Sequence, residues 1–142
     1  MDQEHRAPHL EIEPLRWASE ATLTLPGSKS EANRLLVAAA LSGRQIRLVG
    51  ATASDDVRHL VNGLATLGYR AAFIDEAAGT IDVGPRVARA MRHGELFCGN
   101  AGTVLRFLVS VAAITPGEWT LTGDAAMQRR PIGPLVEAWR RL

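Results

Sequence analysis

The chain has 142 residues and a mass of 15.3 kDa, which is enough for one domain with a real core. Its 16 basic and 15 acidic side chains give a formal charge of +1, which excludes the broad basic field that nucleic acid or an anionic membrane requires. One cysteine excludes an internal disulfide, and the four histidines show no metal-ligand spacing with it, so no metal and no cofactor are expected.

The first predicted elements form a β-α-β-α-β-β unit. ATLTLPG, residues 21–27, alternates like a strand, and residues 33–41 are apolar almost all round, as in a buried helix. RQIRLVG predicts a second strand, after which Ser54 caps a helix that Gly68 closes. YRAAFID and TIDVG then predict two short strands around the turn EAAG. The apolar face of the second helix is formed by Val57, Leu60, Val61, Leu64 and Leu67.

The second half of the chain begins the same unit again. ELFCG predicts a strand, Gly102–Ile114 an apolar helix and EWTLTG another strand. A last helix is predicted to open at Pro131, in the N1 position that suits proline. Its apolar face would be formed by Ile132, Leu135, Val136, Trp139 and Leu142.

The two copies define the predicted organisation of the chain. An offset of about 72 to 75 residues marks duplication of a whole folding unit, above the usual spacing of solenoid repeats. We predict repeat 1 at about residues 21–84 and repeat 2 at about 95–142. Because the sequence ends inside the amphipathic helix, we expect repeat 2 to be truncated and the chain to be a portion of a longer protein.

The stretch LPGSKSEANR, residues 25–34, has the composition of an anion site. A proline and a glycine end the strand, so the next backbone amides lie in the first turn of a helix and lack intrahelical partners. Lys29 adds a mobile charge, Ser30 a hydroxyl donor and Arg34 a planar fork one turn later. The alternative is that a serine merely caps the helix while both cations are solvated.

GNAGTVLRF, residues 99–107, repeats this design in the second copy. Glycines on both sides of Asn100, including Gly102, let backbone approach a ligand closely, and Arg106 follows near the start of the helix. A glycine-rich turn with Arg106 in a structural ion pair is the alternative.

A third basic stretch is MQRRPIG, where Arg130 precedes a proline. The residue before proline is pushed into extended conformation, so Arg130 can aim along the mouth of the following helix. The alternative is an exposed loop arginine.

Four other candidates have ordinary structural explanations. Asp55 and Asp56 are expected to serve the helix dipole, and His59, one turn later, to lie at the surface. Cys98 lies in an apolar strand and is expected in the core rather than as a nucleophile.

Four motifs, taken in order and spacing, resemble the N-terminal part of the EPSP synthase family, the 3-phosphoshikimate 1-carboxyvinyltransferases. They are PGSKS followed by NR, then SDD, then GNAGT followed by R, then RPIGPL. The resemblance runs from about Thr22 to the last residue. The related UDP-N-acetylglucosamine enolpyruvyl transferases carry Lys-Asn where this chain has Lys29 and Ser30, which favours the shikimate branch.

The resemblance implies an α/β fold of the inside-out type, with two domains that each contain three β-α-β-α-β-β units. The helices would be buried and the sheets would lie outside. Residues 1–20 would associate with the second domain, and residues 21–142 would be an incomplete N-terminal domain. The full-length enzyme is expected to be a cytoplasmic monomer, and this chain alone, without the C-terminal domain, is expected to be inactive.

The reaction implied is transfer of the enolpyruvyl group of phosphoenolpyruvate to the 5-hydroxyl of shikimate 3-phosphate. The products are EPSP and phosphate, on the route to aromatic amino acids, and the family is the target of glyphosate. Lys29 would be catalytic and would contact both substrates. Shikimate 3-phosphate would be held by Lys29, Ser30 and Arg34. Phosphoenolpyruvate would be held by Lys29, Asn100, Gly102 and Arg130.

Two other functions stay open on the sequence alone. One is a UDP-N-acetylglucosamine enolpyruvyl transferase. The other is a non-catalytic module that binds anions or a partner, which would need a closed core, whereas a fragment would expose apolar surface and self-associate.

Overall fold

The computed structural model describes residue 22 and residues 25–142. The N-terminal segment 1–20 lies outside the described residues, as do residues 21, 23 and 24 of the strand predicted at residues 21–27. Residues 25–27 are described and do not form a strand. From residue 29 onward the chain forms ten elements. In order they are α1 (Lys29–Leu41), β1 (Ile46–Leu48), α2 (Asp55–Thr66), β2 (Tyr69–Asp75), β3 (Thr80–Arg86), β4 (His93–Phe97), α3 (Gly102–Ala113), β5 (Glu118–Thr122), α4 (Ala125–Gln128) and α5 (Gly133–Arg140).

The strands form two sheets of different kinds. β3 is the middle strand of an antiparallel sheet in the order β1-β3-β2. β4 and β5 pair in parallel, with α3 in the chain between them. This is the pattern expected when two strands are joined by a helical crossover. The predicted order of α and β elements after the first strand is confirmed as far as β5.

Helix α2 lies at the centre of the core, in contact with α1, α3, β2 and β4. All five residues of its predicted apolar face are buried. Gly68 follows the helix with φ +92°, a left-handed conformation that glycine adopts without a Cβ penalty. Helix packing on helix inside two small sheets agrees with the implied inside-out arrangement.

Two predictions for the first two helices need correction. Helix α1 is buried on one side only: Leu36 is fully buried, whereas Leu35 and Leu41 are about half exposed. Ser54 occupies the N-cap position of α2, but its side chain makes no capping hydrogen bond, and its buried hydroxyl has no partner in the described structure.

The last helix does not open at Pro131, so that prediction is wrong. A short helix that the sequence did not predict, α4, comes first, capped by the Asp124 carboxylate, which accepts from the Met127 amide at 2.8 Å. Ile132 is the N-cap of α5, and the second proline, Pro134, takes the first-turn position where a missing amide costs nothing. The predicted apolar face of α5 is half-buried, apart from Leu142, which is exposed.

Candidate functional site

The N-terminal ends of α1, α2 and α3 lie together at one end of the fold. Lys29, the first residue of α1, places its Nζ 3.0 Å from Oδ2 of Asp56, the second residue of α2. One turn further along α2, the ring of His59 meets the ring of Phe97 edge-on at 5.3 Å, shortly before α3 begins. Free amides and the positive ends of three helix dipoles therefore face the same region.

The first predicted group is built on the opening turn of α1. Ser28 is the N-cap, and its hydroxyl accepts from the Glu31 amide at 3.3 Å. Arg34 donates through Nη1 to the carbonyl oxygen of Ser30 at 2.9 Å, which folds the guanidinium back toward the helix mouth. The capping alternative thus holds for Ser28, while Ser30 is exposed beside the cations.

The second group repeats this local geometry 72 residues later. Arg106 donates through Nη1 to the carbonyl oxygen of Gly102 at 2.9 Å, as Arg34 does to Ser30. Arg106 forms no ion pair with any carboxylate among residues 25–142, so the alternative of a structural ion pair is wrong for these residues. The division of the chain into two repeats stays a prediction.

Arg130 reaches the same group from the loop before α5. It donates through Nη2 to the Asn100 side-chain oxygen at 2.8 Å. A Cβ atom added to Gly102 would lie 2.6 Å from Nη1 of Arg130 and 3.1 Å from Nη1 of Arg106. The two guanidiniums therefore converge over Gly102, at the mouth of α3 rather than of α5.

Three of the cations at this end of the fold have no carboxylate within ion-pair distance among the described residues. In the described part of the chain, carboxylates pair only with Lys29, Arg47 and Arg58. The guanidiniums of Arg34, Arg106 and Arg130 bond instead to neutral oxygens. Cations held in place without a countercharge attract an anion, and guanidinium forks suit phosphate and carboxylate.

Helix α2 connects the two groups. Asp56 contacts Lys29, and His59, three residues later, adjoins Gly99 at the start of the GNAGT motif. Gly99 has φ +53°, and a Cβ there would lie 2.5 Å from Nε2 of His59. Both the backbone conformation and the space require glycine. His59 is partly exposed, so it lies at the edge of the surface with its ring against Phe97.

Two contacts of this site could not be predicted from the sequence. The pairing of Asp56 with Lys29 was hidden because a first-turn carboxylate also suits the helix dipole. Arg106 and Arg130 are 24 residues apart in the sequence, so their approach depends on the tertiary fold. One available signal was composition: Lys29 is the single lysine of the sequence, and every other basic side chain counted with it is arginine.

Cys98 is fully buried, as predicted. Burial disfavours the thiolate and raises the pKa of the thiol to about 11. A nucleophilic role at neutral pH is therefore unsupported.

A cavity of about 490 Å³ lies beside the site rather than in it. Its wall between α3 and α5 is mainly apolar, with Leu105, Val109 and Val136, and Arg130 is at its edge. In the described residues no group of three His, Cys, Asp or Glu side chains could hold a metal ion. None of the helices described is both long and apolar enough to cross a membrane.

The fold and the site define a class of protein: an α/β protein in which helix N-termini and arginines without an ion-pair partner lie at one end of the described residues, an arrangement suited to binding an anion. The sequence model of EPSP synthase (3-phosphoshikimate 1-carboxyvinyltransferase) matches residues 17–142, and the chain belongs to this family.

Curated relatives carry the same name. The 3-phosphoshikimate 1-carboxyvinyltransferase of Pectobacterium atrosepticum is 42% identical over 134 residues, which are 93% of this chain and 31% of the relative. That of Rhizobium etli is 45% identical over 118 residues, 82% of this chain and 27% of the relative. The chain thus spans about three tenths of the length of the relatives it matches.

Solved structures support the fold. EPSP synthase from Acinetobacter baumannii superposes with a TM-score of 0.70 at 20% sequence identity, covering 84% of this chain and 27% of that one. The implied fold class is therefore confirmed, and the matched region is a part of the larger EPSP synthase structure.

Proposed function

We propose that this chain supplies the anion-binding half of a 3-phosphoshikimate 1-carboxyvinyltransferase. The whole protein would transfer the enolpyruvyl group of phosphoenolpyruvate to the 5-hydroxyl of shikimate 3-phosphate, by addition followed by elimination of phosphate. The observation that carries the proposal is that Arg34, Arg106 and Arg130 meet no carboxylate among residues 25–142, although they lie at helix mouths. Both substrates are anions.

Each substrate has a group of residues suited to it. Lys29, Ser30 and Arg34, around the first turn of α1, would hold shikimate 3-phosphate. Asn100, Gly102 and Arg130 would hold phosphoenolpyruvate, with Lys29 reaching both substrates. Arg130 already has its guanidinium fixed by Asn100, so little side-chain entropy remains to be lost when the ligand binds.

The catalytic contribution of this half would be electrostatic. Addition and elimination shift negative charge onto the departing phosphate, and cations held in place before reaction stabilise that charge. Lys29 is the proposed proton-transfer group, because an ammonium on a flexible stem can reach a reacting atom and can lose its proton, which arginine does not.

The chain spans about three tenths of its relatives, and we propose that it has no transferase activity alone. Purified chain mixed with both substrates should release no phosphate. Multiple turnovers by the 142 residues would contradict this part of the proposal. A cytoplasmic location and inhibition by glyphosate stay predictions.

A ligand comparison by NMR tests the substrate assignment. Shikimate 3-phosphate should shift the signals of Ser30 and Arg34 in a saturable way, whereas UDP-N-acetylglucosamine should leave them in place. Shifts caused by the sugar nucleotide and not by shikimate 3-phosphate would overturn the shikimate assignment and favour the sugar-nucleotide branch.

A further inference from the structure

We propose that Asp56 is a positioning residue that holds the ammonium of Lys29 over the mouth of α1. The inference starts from the ion pair of 3.0 Å between Lys29 Nζ and Asp56 Oδ2. It rests on the proposed function, since it assigns to Asp56 the task of presenting Lys29 to the anionic substrates.

The side chains of Asp56 and Lys29 differ in conformational freedom. The Asp56 side chain is 25% exposed and belongs to the second residue of α2, a helix that Val57, Leu60 and Leu64 anchor in the core. The Lys29 side chain is 51% exposed and carries its charge on a four-carbon stem. The fixed carboxylate therefore selects among many conformers of the lysine and lowers the entropy that a ligand must remove.

The neighbouring charges leave Asp56 free for this task. Arg58, on the same helix, donates to Asp55 at 3.0 Å and to Glu76 at 2.5 Å. Its guanidinium is thus occupied by two other carboxylates. Within the described structure, the one ion pair of Asp56 is with Lys29.

The pair does not use up the binding capacity of Lys29. An ammonium has three donors, and the 3.0 Å contact with one carboxylate oxygen accounts for one of them. About half of the Lys29 side chain stays exposed, so the other two N–H donors of its ammonium remain available beside Ser30. Asp56 consequently orients the charge from the side of α2 without covering it.

The single lysine of the sequence allows a test that needs no substrate. Lys29 is the only side-chain amine, so acylation by an N-hydroxysuccinimide ester can be followed at this residue by peptide mass spectrometry, with the α-amino group as the reference. Asp56→Asn should raise the rate at Lys29 about two- to fivefold, the range expected for loss of an exposed ion pair. Asp56→Glu should restore slow reaction.

Asp55→Asn is the matched control. It removes the same charge from the same helix turn, and Asp55 is exposed and pairs with Arg58 rather than with Lys29. A carboxylate that served only the dipole of α2 would give the same result in both variants. Equal acylation rates at Lys29 in Asp55→Asn and Asp56→Asn would therefore overturn the positioning role.

A measurement of shikimate 3-phosphate binding distinguishes failure of this inference from failure of the proposed function. Shikimate 3-phosphate should bind Asp56→Asn about two- to fivefold more weakly than it binds the unaltered chain or Asp55→Asn. Tighter binding would mean that Asp56 competes with the ligand, and unchanged binding would mean that Asp56 does not present Lys29 to it; either result would overturn the inference. If the unaltered chain bound no shikimate 3-phosphate, the proposed function would fail, and so would the claim that Asp56 presents Lys29 to the substrate. The acylation rates would still decide whether Asp56 holds Lys29.

Discussion

At the scale of single residues, the sequence identified most of the proposed site because its motifs are local. Ser30 and Arg34 are four residues apart on α1, so their common face follows from helical spacing, and Lys29 lies in the same first turn as Ser30. Asp56 could not be found in this way. Its partner is 27 residues away, and the helix dipole already explained a carboxylate at that position.

Gly102 offers a prediction at the same scale. A methyl group at this position would meet the guanidiniums of Arg130 and Arg106, whose flexible ends must then move. We expect Gly102→Ala to weaken ligands of the phosphoenolpyruvate site that are bulkier than the substrate, glyphosate among them, by about tenfold or more. The measurement is the inhibition constant of glyphosate in the full-length enzyme.

Gly133→Ala is the matched control, since a Cβ at Gly133 has nothing within 4 Å. It should leave the inhibition constant as it was. Equal inhibition of the unaltered enzyme and of Gly102→Ala would show that Gly102 does not shape the ligand pocket.

At the scale of elements, hydrophobic periodicity predicted the helices and strands whose apolar faces are buried. It failed where two possible helix-start signals compete. The apolar face of α2 and the bounds of β2 followed directly from the pattern. The start of α5 did not, because RPIGPL contains two prolines and either can occupy a first turn. Helix α4, with Met127 buried, precedes both prolines, and a four-residue helix leaves no periodic pattern in the sequence.

Leu108 tests the packing of α3 on α2. It is fully buried, and its methyl carbons lie where Gly63 of α2 leaves room. Leu108→Ala should lower the free energy of unfolding by about 2–5 kcal/mol. Leu35→Ala, on the half-exposed face of α1, should cost about 1 kcal/mol. Urea unfolding of both variants gives the comparison, and equal losses would contradict the described core.

The pairing of β1 with β3 predicts a dependence on pH. Arg47 lies opposite Asp82 and donates to its carboxylate at 2.6 and 2.7 Å, which lowers the pKa of Asp82 below its usual value of 3.8. A lowered folded-state pKa contributes stability above the unfolded-state value, and this is lost as the pH falls through the folded-state value. Arg47→Ala should therefore destabilise the chain slightly at neutral pH.

The difference in stability between the unaltered chain and Arg47→Ala should shrink as the pH falls below about 4. Thermal unfolding at a series of pH values measures it. Arg44→Ala, an exposed arginine in the preceding turn, controls for the change in net charge. A difference that grew on acidification would contradict the pairing.

At the scale of the whole molecule, several large apolar side chains of the described residues are exposed at the surface instead of being packed in the core. Leu35 and Leu41 on α1, Phe97 at the end of β4 and Ile114 after α3 are each about half exposed. Sequence periodicity could not reveal this, because it shows that a helix is apolar and does not show which neighbours cover it.

We expect the purified chain to self-associate through these surfaces as its concentration rises. Sedimentation velocity over a wide range of concentration would show an increasing weight-average mass. A monomer at every concentration would favour the closed, non-catalytic module that the sequence left open.

We propose that this chain carries a formed site for a phosphorylated anion where the helix N-termini meet. The most direct test is an NMR titration with shikimate 3-phosphate of three proteins: the unaltered chain, Arg34→Ala and, as a control beyond the other end of α1, Arg44→Ala. We expect saturable shifts at Lys29, Ser30 and Arg34 in the unaltered chain, shifts at Lys29 and Ser30 that persist in Arg44→Ala, and their loss in Arg34→Ala. A folded chain that shows no shifts, or shifts unaffected by Arg34→Ala, would contradict it.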